Sequence, residues 1–206
     1  MKKNIFIAIT ILVLFVIGYL VINWKSMLLG LAGFNNPKIE NAQTVKSWNG
    51  LNTEHALLVV ASTKINFSYL QENIGVPGII VFDKEGVPII SSRGDGCQIT
   101  ARNKLKDLGS KEFERANEIS GKFLRFDSLF DKFSVIDKSV GHNKIDYDYT
   151  VVYTWAKYLP KHSRDMMEAV NQGLADNKAK VLLISLNLDY MDMWTSGTVG
   201  DEIDID

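Results

Sequence analysis

The run from Tyr149 to Asp189 constrains the fold most, because it reads as strand, turn, helix and strand without a break. Tyr149 to Thr154 is rich in β-branched and aromatic residues, and Lys180 to Leu188 is an apolar run of strand length. Between them, about Ser163 to Asn177, Met166, Met167, Val170 and Leu174 form the single apolar stripe of a helix with one buried face. Parallel strands joined by a helix cross over right-handed. Alone, such a unit leaves much of a sheet face uncovered, so more of the chain must pack with it.

The upstream sequence supplies the rest. Ala56 to Ala61 is a continuous apolar run expected to be a buried strand, followed by a short helix at Asn66 to Asn73. Val76-Pro77 precedes a β-hairpin: Gly78 to Phe82, a turn at Asp83-Lys84-Glu85-Gly86, and a return at Val87 to Ser91. The Val76-Pro77 bond is expected to be trans by default. Arg93-Gly94-Asp95-Gly96 leads into a helix from about Cys97 to Leu108, with Ala101, Leu105 and Leu108 on one face. Helices are expected near Lys111 to Ser120 and over Asp127 to Phe133, then a polar loop from Gly141 to Asp148. The end of the chain, Asp201 to Asp206, is an acidic tail.

The turn of the first segment is Trp155-Ala156-Lys157-Tyr158-Leu159-Pro160-Lys161-His162, and its second strand ends in Asn187-Leu188-Asp189. This pattern resembles the thioredoxin-like (redoxin) superfamily, whose first long strand runs into Trp-Ala-x-x-Cys-x-x-Cys and whose next strand often ends in Asn-x-Asp. On that alignment Leu159 replaces the first cysteine and His162 the second. The stretch from Tyr149 to Trp194 is also similar to uncharacterised exported redoxin-like proteins of Bacteroidota, a likeness that gives no activity. The hairpin and its helix resemble the second half of a thioredoxin fold, in which a proline, often cis, precedes the hairpin; Pro77 is placed to be that groove proline. The order of the halves is reversed. Either they are permuted around one sheet, which is favoured, or the hairpin belongs to an added subdomain. The resemblance implies an α/β fold, a thioredoxin-like mixed sheet flanked by helices; the N-terminal sequence separately places one transmembrane helix before it. The resemblance also implies a polypeptide-receiving groove between Val76-Pro77 and a degenerate site at Trp155, Leu159, Pro160, Lys161 and His162.

The transmembrane expectation rests on Met1-Lys2-Lys3 followed by an uncharged apolar run from Ile5 to Ile22. Roughly eighteen residues at about 1.5 Å each span about 27 Å, close to the hydrocarbon thickness of a bilayer. Lys2, Lys3 and the terminal amine outnumber Lys25, which orients the N-terminus to the cytoplasm and exports the remainder, with Trp24 at the far interface. A cleaved signal peptide ending near Gly30-Leu31-Ala32 is the alternative, although the apolar run is longer than a usual signal core. The expected organisation is an inner-membrane anchor over 1–24, a tether over 25–53 with a short helix near Met27 to Leu31, a thioredoxin-like domain over 54–194, and the tail over 195–206.

Chemistry is sparse. Thiol-disulfide exchange needs an attacking thiolate and a second sulfur, and the chain has one cysteine, Cys97. Its place after Gly94-Asp95-Gly96, at a helix start, favours a thiolate, so it is the one catalytic candidate: a single-thiol redox or peroxidase-like centre with an external resolving thiol. The competing reading is a packed core thiol. His162 is expected to flank or cap its helix with Ser163 as N-cap, since His55 and His142 have no ligand spacing to it. Gly94-x-Gly96 is too short for a phosphate loop. Asp146 and Asp148, and Asp189 and Asp192, read as solvated turns, although Asp189 ends a strand at the edge where α/β folds place ligands. No metal or cofactor is implied. A net charge of −1 argues against a nucleic-acid partner. Recognition of a protein or peptide in the cell envelope is the expected role, rather than dithiol catalysis.

Overall fold

The computed structural model describes residues 12–19, 24, 29–31, 33–48, 56–94, 96–110, 125–137 and 147–194. Their elements, in chain order, are β1 (Ile39–Glu40), α1 (Ala42–Trp48), β2 (Ala56–Ala61), α2 (Lys64–Asn73), β3 (Gly78–Asp83), β4 (Pro88–Arg93) and α3 (Cys97–Leu105). There follow α4 (Phe126–Phe130), β5 (Phe133–Asp137), β6 (Tyr149–Trp155), α5 (Pro160–Leu174), β7 (Val181–Asn187) and β8 (Tyr190–Met191), then a 3-10 turn at Asp192–Trp194.

Six strands form one mixed sheet in the order β4-β3-β6-β7-β2-β5. β7 runs parallel to both β6 and β2, whereas β3 is antiparallel to β6 and to β4. The hairpin and the strand-helix-strand unit therefore share a single sheet, as favoured from the sequence. Every residue of β6 and of β2 is buried, because each lies between two neighbours and has helices on both faces. This is the setting in which strands read as continuous apolar runs.

Alternation divides the core into two layers. Leu58, Val60, Ile79, Val81, Val151, Tyr153 and Trp155 face α1, α3 and α5 through Val45, Ala101, Leu105, Met166 and Val170. Leu57, Val59, Ile80, Phe82, Val152, Ile184 and Leu186 face α2 and α4 through Phe67, Leu70, Phe126 and Leu129. On the first face, α3 and α5 approach so closely that a Cβ on Gly173 would lie 2.8 Å from Leu105 Cβ.

The structure corrects several expectations. The helix expected over Asp127 to Phe133 stops at Phe130, and Phe133 opens β5, an edge strand antiparallel to β2. Helix α5 starts at Pro160 rather than Ser163; proline fits a first turn, where its missing N–H would have no helical partner anyway. Part of the supposed tether is folded: β1 pairs with β8, and α1 buries Val45 completely. Val76-Pro77 is cis rather than trans.

Residues 12–19 are helical and expose Leu12, Leu14 and Phe15. Among the described residues no helix is long and apolar enough to cross a membrane, and most of the remaining apolar N-terminal run lies outside them. The helix expected near Lys111 to Ser120, residues 138–146 with His142 and Asp146, His55, and the acidic tail also lie outside the described residues.

Candidate functional site

The carboxyl ends of β6 and β7 converge on the Trp155 turn. Leu188 N–H donates to Trp155 O at 2.9 Å, so the two strand exits are tied together. The turn is fixed from beneath by Ser163, whose buried hydroxyl donates to Ala156 O at 2.8 Å and accepts from Ala156 N–H at 3.0 Å. Ser163 thus staples the turn to the helix instead of capping the helix. The N-cap position is Leu159, and its side chain is buried. Trp155 is fully buried, with its indole N–H donating to Ser185 Oγ at 2.9 Å. Lys161 is exposed and pairs with Asp165 at 2.8 Å, one helical turn on. His162, partly exposed, has its ring 6.0 Å from Phe34.

On one flank of the turn stands Pro77. The β3–β6 register pairs Gly78 with Thr154, which brings the Val76-Pro77 segment alongside Trp155-Ala156. Thr154 Oγ1 donates to Gly75 O at 2.7 Å, and Gly94 N–H donates to Pro77 O at 2.9 Å. Gly78 is required here, since any Cβ would collide with Ile74 O. Of the turn residues singled out in the sequence, the register thus sets Trp155 beside Pro77.

The other flank centres on Asp189, which is buried rather than solvated. Both its carboxylate oxygens accept from Lys157 N–H, at 3.0 and 2.9 Å, and one accepts from Asn187 Nδ2 at 2.6 Å. Burial raises its pKa to about 6; the bonds from Asn187 and Lys157 N–H oppose the rise, nearby Glu40 adds to it, and the Lys157 charge lowers it. Lys157 Nζ reaches Glu40 Oε2 at 2.6 Å, linking the turn to β1. Asn35 N–H donates to Tyr158 O at 2.8 Å, so the segment before β1 crosses the same turn. Tyr158 is pushed to about 12 by burial, with Asp189 and Tyr190 adding to the rise. Tyr153, beneath Trp155 on the same sheet face, is also pushed to about 12 by burial, an effect that nearby Ser185 moderates. Its hydroxyl makes no well-formed hydrogen bond among the described residues.

Cys97 opens α3 as expected, preceded by Gly96 with φ of 88°. It is fully buried in the same core layer as Trp155, which closes it to an external disulfide in this conformation. Among the described residues no group of His, Cys, Asp and Glu side chains is arranged to hold a metal ion.

Glu40 and Trp48 escaped the sequence reading. Both lie in a segment of mixed composition whose only signal was the Asn41-x-x-Thr44 spacing of a helix start, realised as reciprocal bonds of 2.8 and 3.0 Å. No family model, curated protein or solved structure matches the chain.

Proposed function

We propose that this chain is a single-pass, membrane-anchored protein whose extracytoplasmic domain is a permuted thioredoxin-like scaffold without the dithiol centre. In this reading it binds an extended polypeptide of the cell envelope. The observation that carries the proposal is the pairing of Gly78 with Thr154, which sets Val76-Pro77 beside the Trp155 turn at one end of the sheet. Redoxins receive extended polypeptides between these two segments. The reversed chain order of the halves is compatible with it, because β3 and β6 are direct sheet neighbours. Leu159 and His162 stand at the two sulfur positions, and neither can attack or resolve a disulfide. The burial of Cys97 points the same way. The anchor is supported by the apolar N-terminal run with its basic start.

A photo-crosslinking residue at Val76 tests the reading in cells that express the full chain. Discrete protein adducts should form from Val76 and persist in Cys97→Ser, and the same label at Lys178, beside the amino end of β7, should give none. Adducts that vanish with Cys97→Ser, or equal labelling from both positions, would overturn it.

A further inference from the structure

The Asp189 flank opens into a polar cleft of about 450 Å³, on the opposite side of the turn from Val76-Pro77. Its size is that of a small-molecule site, roughly 300–1,000 Å³. Its position follows from the topology. β6 exits into α5 on one face of the sheet, β2 exits into α2 on the other, and the carboxyl end of β7 lies between them. Open α/β sheets hold ligands at such a point, and the cleft takes Lys157, Tyr158 and Asp189 from it, its other walls being the segment before β1, β1 and α1. The larger cleft, about 590 Å³, lies at the amino ends of β6 and β7. Its acids Asp83, Glu85 and Asp148 lie at turns and strand ends and none is buried, unlike Glu40 and Asp189, so it has the character of a turn surface.

The lining of the Asp189 cleft selects a ligand class. Lys38 and Lys157 balance Glu40 and Asp189, so the site offers no net charge to a strong anion or cation. Trp48 and Tyr158 give flat apolar faces beside these groups, and Asn35 and Asn36 supply both donors and acceptors. The carboxylates are already oriented: Asp189 by Lys157 N–H and Asn187, Glu40 by Lys157 Nζ. Hydroxyl groups both donate and accept, and sugar rings present C–H faces suited to aromatic side chains. We propose that this cleft binds a neutral polyhydroxylated small molecule, a mono- or disaccharide. The inference is independent of the polypeptide reading, which uses the other flank.

The test uses the full-length chain in lipid nanodiscs, with glucose, N-acetylglucosamine and maltose as probes, inorganic phosphate as an anionic comparator and glycine betaine as a zwitterionic one. Saturation-transfer NMR should detect at least one of the three sugars, with a Kd in the ~mM range. Asn36→Ala and Lys38→Ala should each weaken it about tenfold. Lys38 is exposed and Asn36 lies in a segment outside the core, so both variants should keep the fold; Lys178→Ala, in the distal cleft, should change nothing. Absence of signal from all three sugars would overturn the proposal. So would a signal that survives both cleft substitutions, or phosphate or betaine binding more tightly than every sugar.

Discussion

Trp48 lies flat on Trp155, with ring centroids 4.8 Å apart and planes 11° from parallel. The second indole is fully buried and the first is its cover, so α1 closes the turn end of the core. Trp48→Ala should therefore cost about 2–3 kcal/mol, at and below the bottom of the range for losing a fully buried large aromatic, because Trp48 is only half-buried. Urea unfolding followed by circular dichroism reads the loss. A shift within about 0.5 kcal/mol, typical of surface changes, would mean that α1 does not belong to the cooperative unit.

Asp189 gives the chain a distinctive pH dependence. Its carboxyl, raised from 3.8 to about 6 by burial, binds its proton more tightly in the folded chain than in the unfolded one. The folded state therefore holds the extra proton between about pH 4 and pH 6, and stability falls as pH rises through that window. The contribution is on the order of 3 kcal/mol at full deprotonation. Subtracting the unfolding free energy of Asp189→Asn from that of the wild type at each pH isolates it from the other carboxylates. The difference should decline across the window, and the Asp189 carboxyl carbon should titrate near 6 by NMR. A midpoint below about 4 would remove the effect.

Gly173 marks the closest approach of α3 and α5. An added methyl would sit 2.8 Å from Leu105 Cβ and 3.0 Å from Ala101 O. Alanine gains about 1 kcal/mol of helix propensity, but overpacking costs about 1–3 kcal/mol. Gly173→Ala should thus lower the melting temperature by a few degrees. A raised melting temperature would show that the two helices can separate without cost.

Cys97 combines two opposing influences. A helix start favours the thiolate, whereas complete burial denies it both solvent and reagent. Burial should win. Maleimide should label the native chain only at the rate of unfolding, and immediately in denaturant. Fast labelling without denaturant would restore the case for a single-thiol redox centre.

The main strands were legible because β2, β3, β6 and β7 are buried on both faces and read as continuous apolar runs. β5 was not. As an edge strand it is only half-buried throughout, and its Phe133 continues an aromatic spacing begun by Phe126 and Phe130, which favours a helix reading. At the site, Pro77 and the Trp155 turn were found through their local motifs. Asp189 was found by position, but its burial was not, because the groups that enclose it come from distant parts of the chain. Glu40 lies far upstream and reaches the site through a two-residue strand that no periodicity can announce.

In the proposed thioredoxin-like reading, the turn lacks only the two sulfurs. Leu159 at the N-cap of α5 and His162 one turn on lie at the spacing of a helix-start dithiol. The direct measurement is to install that pair, Leu159→Cys with His162→Cys, in a Cys97→Ser background. The two thiols should form an intramolecular disulfide under oxidised glutathione, and the variant should accelerate dithiothreitol-driven insulin reduction relative to its parent. A folded variant whose thiols remain unpaired would show that the turn does not have the geometry of a redoxin dithiol.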